Sequence, residues 1–185
     1  ELHLVVNHDK TEVGYIRGMK YLGYSFYFTK GKCRLCVHKR TKDNFKRKVK
    51  SLTGRSNGMG YAQRKEVLWQ TFRGWLEYFK YADMKRTLIP LDQWYRRRLR
   101  MCIWKCWKKT RTRLANLQKC GIPKSKAWEW ANTRKGYWRC TRAFLQNAIL
   151  DESLRRAGYP MLSHLYEQMH IDCETAVCGT VCTVG

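Results

Sequence analysis

The chain has 185 residues, with 38 Lys and Arg against 14 Asp and Glu, a formal charge of +24 and a pI near 10.0. A surface that basic attracts phosphate backbones and gains from release of their counterions. Aromatic residues at 14% and hydrophobic residues at 44% exclude a disordered basic tail, and no apolar run approaches the ~20 residues of a membrane span. A folded nucleic-acid binder is therefore the leading class, with a membrane-surface protein as the runner-up. The length suits one core, or one domain with part of another. No signal peptide is visible, and the opening on Glu1 rather than Met points to a fragment of a longer parent.

Residues 1–38 read as the end of a β-containing unit. Leu2–Val6 is a short strand or helix end, and Asn7–Thr11 (NHDKT) is a polar connection. The runs Tyr21–Phe28 and Lys32–His38 flank Thr29-Lys30-Gly31 and predict a hairpin. Leu22, Tyr24, Phe26 and Phe28 share one parity, hence one strand face. From Thr41 the period becomes helical, with Phe45, Val49 and Leu52 inward until Gly54, and Ser56–Gly60 as a loop. A second helix is predicted over Tyr61–Lys80, burying Val67, Leu68, Thr71, Trp75, Tyr78 and Phe79. Pro90 is expected to open the third. Further helices are expected over Lys124–Arg134, Ala143–Ala157 and Met161–His170, with Ile171–Gly185 as a tail or docked extension.

The third helix lies in the densest cationic stretch, Leu91–Arg113. Within Tyr95–Arg113 there are six arginines, three lysines and no acid. Charges that close repel one another unless a polyanion lies against them, and the interleaved Trp104 and Trp107 point to bases as well as phosphates. At 100° per residue, Leu91, Tyr95, Leu99, Cys102, Ile103 and Cys106 fall on a core arc. Arg97, Arg98, Arg100, Lys105 and Lys108 fall opposite, with Trp94 and Trp104 among them. Those two rings either pack against another helix or stack on a base or sugar.

The nine cysteines form neither two close pairs at zinc-ribbon spacing nor an even disulfide ladder. Cys33 and Cys36 have opposite parity in a predicted strand. Cys102 and Cys106 are four apart, and Cys173, Cys178 and Cys182 lie in the tail. Free thiols in a reducing, cytosolic setting are expected, with a bound metal as the alternative.

The series YLGYSFYFTKGKCRLCVH, FRGWLEYFKYADM, LDQWYRRRLRMCIWKCWKKTRTR and WANTRKGYWR resembles, in order and spacing, the carboxy-terminal part of a group II intron-encoded reverse transcriptase, or maturase. The likeness covers about Leu2 to Leu165. RGWLEYF, LDQWYRRRLR and KGYWR are specific together and weak singly. The resemblance implies a mainly α fold: a palm end with a primer-grip-like hairpin over 1–38, a helical thumb or maturase (X) domain over 39–170, and a tail over 171–185. It implies binding of intron RNA to assist splicing, and grip on a template–primer duplex. Its partners would be that RNA, that duplex and the missing fingers and palm, with no membrane, in a bacterial or organellar cytoplasm.

By the same resemblance, Leu22, Gly23 and Tyr24 match the primer-grip turn, where glycine permits close backbone approach to the primer end. Lys10 stands near the incoming nucleotide, or is a solvated loop lysine. Polymerisation needs carboxylates that hold two metal ions. The family's YADD motif lies upstream of NHDKT-type sequence and is absent, so Mg2+ is expected in the missing palm. This chain alone is expected to be inactive and to hold no cofactor. Tyr81-Ala82-Asp83-Met84 has a single acid and reads as a helix end or turn. Candidate contacts to RNA or duplex are Arg97, Arg98, Arg100, Trp104, Lys105, Lys108, Lys109, Arg111 and Arg113, with a second group of Arg134, Lys135, Tyr137, Trp138 and Arg139. A generic solvated basic face would account for some of them. Cys106, Cys178 and Cys182 stand where the family usually has Arg, Tyr or Gln, which fits a decaying copy of a mobile element or ordinary drift. The alternative to the family reading is a stand-alone basic RNA-binding helical protein, metal-stabilised or not.

Overall fold

A computed structural model describes residues 14–170. The Leu2–Val6 and NHDKT readings, Lys10, Cys173, Cys178, Cys182 and the tail lie outside the described residues. Strands β1 (Tyr24–Thr29) and β2 (Lys32–Val37) pair antiparallel, with Thr29 opposite Lys32. The turn is two residues long. Lys30 and Gly31 both have positive φ, 51° and 72°, as a right-twisted two-residue hairpin requires. The register sets Cys33 against Phe28 and Cys36 against Ser25, on opposite faces as parity predicts. Leu22 lies outside the strand, with φ 49° and 66% exposure, so it does not continue the face of Tyr24 and Phe26.

Eight helices and a π-helical turn follow among the elements with defined ends. Helix α1 (Lys39–Leu52) buries Phe45, Val49 and Leu52, the predicted set. Helix α2 (Tyr61–Tyr78) buries Arg64, Leu68, Phe72 and Leu76, a strict i, i+4 row. The predicted face was rotated: Phe72 and Leu76 are the central side chains, while Tyr78 is exposed. Leu68 and Phe79 are buried as expected, whereas Trp75 is half-buried, because large rings are as much at home at an edge as inside.

Helix α3 (Lys85–Cys106) starts five residues before Pro90, which is inside it. The ring forgoes the bond to the Arg86 carbonyl, one turn beyond the positions where a helix has no partner for that N–H. The helix stops at Trp107, and Thr110–Lys119 forms a separate helix α4 that the continuous basic pattern concealed. Helix α5 spans Lys124–Ala131. Where one helix was expected over Ala143–Ala157, α6 (Tyr137–Cys140), the π-helical turn (Thr141–Leu145) and α7 (Gln146–Ala148) run together, then the chain breaks before α8 (Asp151–Arg156). A last helical segment covers 162–170.

One core joins these elements. Phe45 stacks on Trp75 at 4.3 Å between centroids, Phe72 meets Tyr95 edge-on at 4.8 Å, and Tyr24 lies 5.0 Å from Phe79. This chain of rings ties the hairpin to α1, α2 and α3, each pair adding about 0.5–1.5 kcal/mol beyond its buried area. Asp92 of the LDQW block is 1% exposed and accepts from Leu162 N, Ser163 N (2.8 Å each) and Ser163 Oγ. A carboxylate at that helix start satisfies amides that no turn of the helix can reach. The Tyr166 hydroxyl donates to the Ala82 carbonyl at 2.9 Å and closes the same seam.

Candidate nucleic-acid interface

The three consecutive arginines of α3 have three different environments. Arg98 is 8% exposed. Its Nε donates to Thr53 Oγ1 at 2.6 Å, and its terminal nitrogen donates to the Lys50 and Thr53 carbonyls at 3.1 and 3.2 Å. Those carbonyls are the unpaired, negative end of α1, where a cation is stabilising. Desolvation lowers the Arg98 pKa below the usual guanidinium value. Arg64 serves the same helix end, donating to the Leu52 and Met59 carbonyls. Arg96 pairs with Asp151 at 3.3 Å. Arg97 is half-buried; its Nε has no hydrogen-bond partner, and its guanidinium lies 6.0 Å from the centre of the Trp138 ring.

Other expected RNA contacts are also engaged within the fold. Arg100 is buried, donating to the Ile149 carbonyl at 2.8 Å and pairing with Asp151 at 2.5 Å. Lys105 donates to the Arg55 carbonyl. Arg113 donates to the Trp107 carbonyl at 2.9 Å and lies over Trp104 at 4.6 Å. Trp104 is 1% exposed between Trp107, Phe144 and that guanidinium, so packing decides its role. The expectation that Arg98, Arg100 and Trp104 face outward is therefore corrected. The reason is position: α1's end covers one flank of α3 and the Ile149–Asp151 break covers another, so Arg98, Arg100 and Trp104 are buried although they lie off the apolar arc. Cys106, expected inside, is exposed at the helix end.

Lys108, Lys109, Arg111, Arg134, Lys135 and Arg139 are exposed. Lys108 and Lys109 occupy the α3–α4 connection and Arg111 the first turn of α4. Tyr137 is half-buried with the Arg55 guanidinium 5.6 Å from its centre. Trp138 is 41% exposed and packs against both Arg97 and Arg98. The two basic-aromatic groups, forty residues apart in sequence, thus meet at one ring.

Sequence reasoning passed over two features. Helix α1 carries seven cations and one acid, all but Lys42 among the seven exposed; the count itself was a sufficient signal. A cleft of about 660 Å³ opens between α3 and the π-helical turn, lined by Arg96, Arg97, Arg100, Arg142, Gln146 and Asp151 among others. Arg142 gave no signal, because its place depends on a π-helical turn that has no sequence period.

At the hairpin, Gly23 has φ 86°, and a Cβ there would meet the Phe79 ring at 3.1 Å and Thr41 Oγ1 at 3.2 Å. The close approach that glycine permits is to the chain's own helices. Tyr24 packs on Tyr78 and Phe79, while the Tyr78 hydroxyl holds the Leu22 carbonyl at 3.0 Å. Asp83 accepts from the Tyr27 hydroxyl at 2.6 Å and faces Arg34 at 3.7 Å, a turn residue fastening the hairpin. The bond to Asp83 raises the Tyr27 pKa.

The six described cysteines are free thiols, and burial pushes Cys36, Cys102, Cys120 and Cys140 up. Among the described residues no three His, Cys, Asp or Glu side chains gather as a metal-holding group, and no helix is long and apolar enough to cross a membrane. Residues 42–121 match the family model of the group II intron, maturase-specific domain. That span runs from the first turn of α1 to just beyond α4 and includes the RGWLEYF and LDQWYRRRLR blocks, with KGYWR outside it. No curated protein matches the chain.

Proposed function

We propose that the chain binds intron RNA and assists its splicing, using the cations left outward once the helix ends are satisfied; the match of residues 42–121 to the group II intron, maturase-specific domain supports this reading. The observation that carries this is the exposed set Lys108, Lys109 and Arg111, from the α3–α4 connection into the first turn of α4, inside the matched span and with no side-chain hydrogen bond or ion pair among the described residues. Phosphate contacts of this kind position RNA without reading sequence. Binding measured against salt concentration tests it. Log affinity falls with log salt at a slope of about 0.7–0.9 per phosphate contacted. Replacing Lys108, Lys109 and Arg111 together by Glu lowers affinity at low salt and flattens that slope by about two to three. A flat response in the unmodified chain contradicts the proposal.

A second reading, grip on a template–primer duplex, is favoured by the hairpin. Its base presents Tyr21 and Leu22 outward, 64% and 66% exposed, from a turn anchored to α1 and α2. On this reading any Mg2+-dependent polymerisation belongs to a palm outside these residues. Primer extension by the 185-residue chain would contradict that assignment.

A further inference from the structure

The cleft between α3 and the π-helical turn is pocket-sized. At about 660 Å³ it falls in the range that encloses one small molecule. A paired helix is too wide to enter; one nucleotide is not. Its charge is uneven. Asp151 pairs with Arg96 and Arg100, whereas Arg97 and Arg142 have no carboxylate partner among the described residues. Arg97 Nε is a buried donor that the fold leaves without an acceptor. The amides of Gln93, Gln146 and Asn147 line the same space and offer the donors and acceptors that pair with base edges. Close by, with the Arg97 and Arg98 guanidiniums 6.0 and 5.5 Å from its centre, the Trp138 ring is 41% exposed. The wall opposite α3 is the π-helical turn, a distortion that recurs at binding sites.

We propose that this cleft takes one unpaired nucleotide of RNA, its phosphate between Arg97 and Arg142 and its base against Trp138. The inference rests on the RNA-binding function above and narrows it: this wall holds single-stranded RNA, by phosphate contact and stacking together. Paired RNA is left to the outward lysines and arginines.

The test is fluorescence anisotropy of the full 185-residue chain with two labelled probes, an oligoadenylate strand and a blunt-ended, fully paired RNA duplex with the same number of phosphates. Arg142→Glu and Trp138→Ala alter exposed side chains, and near-ultraviolet circular dichroism checks that each variant is folded. Each is expected to weaken the single strand about tenfold or more and the duplex by less than about twofold, with Trp138→Phe keeping much of the affinity that Trp138→Ala loses. Equal losses on both probes overturn the proposal in favour of undirected surface charge. Unchanged affinity for both removes the cleft as a site while leaving RNA binding intact. An unmodified chain that binds neither probe refutes the RNA-binding function itself.

Discussion

Replacing Arg98 by Ala tests whether the RRR block is held for folding or for RNA. Its guanidinium makes three hydrogen bonds to the end of α1 and lies 5.4 Å from the Trp94 centroid and 5.5 Å from that of Trp138. Bonds to a charged group contribute roughly 1.5–3 kcal/mol each, but three from one side chain are not independent. Their loss removes the charged donor from the Lys50 carbonyl and leaves the buried Thr53 carbonyl with the weak Cys102 thiol donor alone. The expected cost is about 3–4 kcal/mol, from lost hydrogen bonds to a charged group and an acceptor left poorly satisfied in a buried place. Lysine cannot reproduce the fork and should recover only part of it. With a urea m-value of about 2 kcal/mol/M, the midpoint falls by roughly 2 M with m unchanged. Arg111→Ala, the same chemical change on an exposed turn, should cost under about 0.5 kcal/mol. Equal destabilisation by the two variants, followed by far-ultraviolet circular dichroism in urea, would refute the reasoning.

Asp92→Ala removes the acceptor of three hydrogen bonds at the start of the 162–170 helix. A loss of about 3 kcal/mol is expected, with hydrogen-exchange protection lost first in that segment; a change below about 1 kcal/mol would count against the clamp. Gly23→Ala forces a Cβ against Phe79 and Thr41 at positive φ and should lower stability by about 1–3 kcal/mol. Gly74→Ala, in α2 with open space around it, should raise stability by about 0.5–1 kcal/mol. Thermal melts that move both glycine variants in one direction would contradict the assigned packing.

The hairpin and α1 were legible because parity and the i, i+4 spacing of Phe45 and Val49 are local properties. The blocks around RGWLEYF and LDQWYRRRLR placed the helices in the correct order. Angular sorting of α3 failed for a physical reason: it assumes one buried and one solvated face. Helix α3 is covered on more than one side, and its solvated residues, Ile89 and Gln93 among them, lie toward its start, so its later arginines are covered wherever another element presents free carbonyls. Nothing in the spacing of Arg97, Arg98 and Arg100 distinguishes the one beside Trp138 from the ones bonded to Thr53 or Ile149. The meeting of Arg97 with Trp138 was likewise invisible, since it depends on α4 and α5 folding between them.

The fastening of the hairpin has a mechanical consequence. Asp83 grips Tyr27 and Arg34 near its outer half, the Asp83 amide bonds the Leu35 carbonyl at 2.9 Å, and Thr41 and Tyr78 hold Gly23 and Leu22 at its root. A two-stranded ribbon alone is a flexible lever. Bolted at both ends to the α2–α3 turn and to α1, it becomes a stiff arm. Any tilt of the helical body then carries Leu22 through the same angle, so displacement of α1 or α2 is transmitted to the hairpin root.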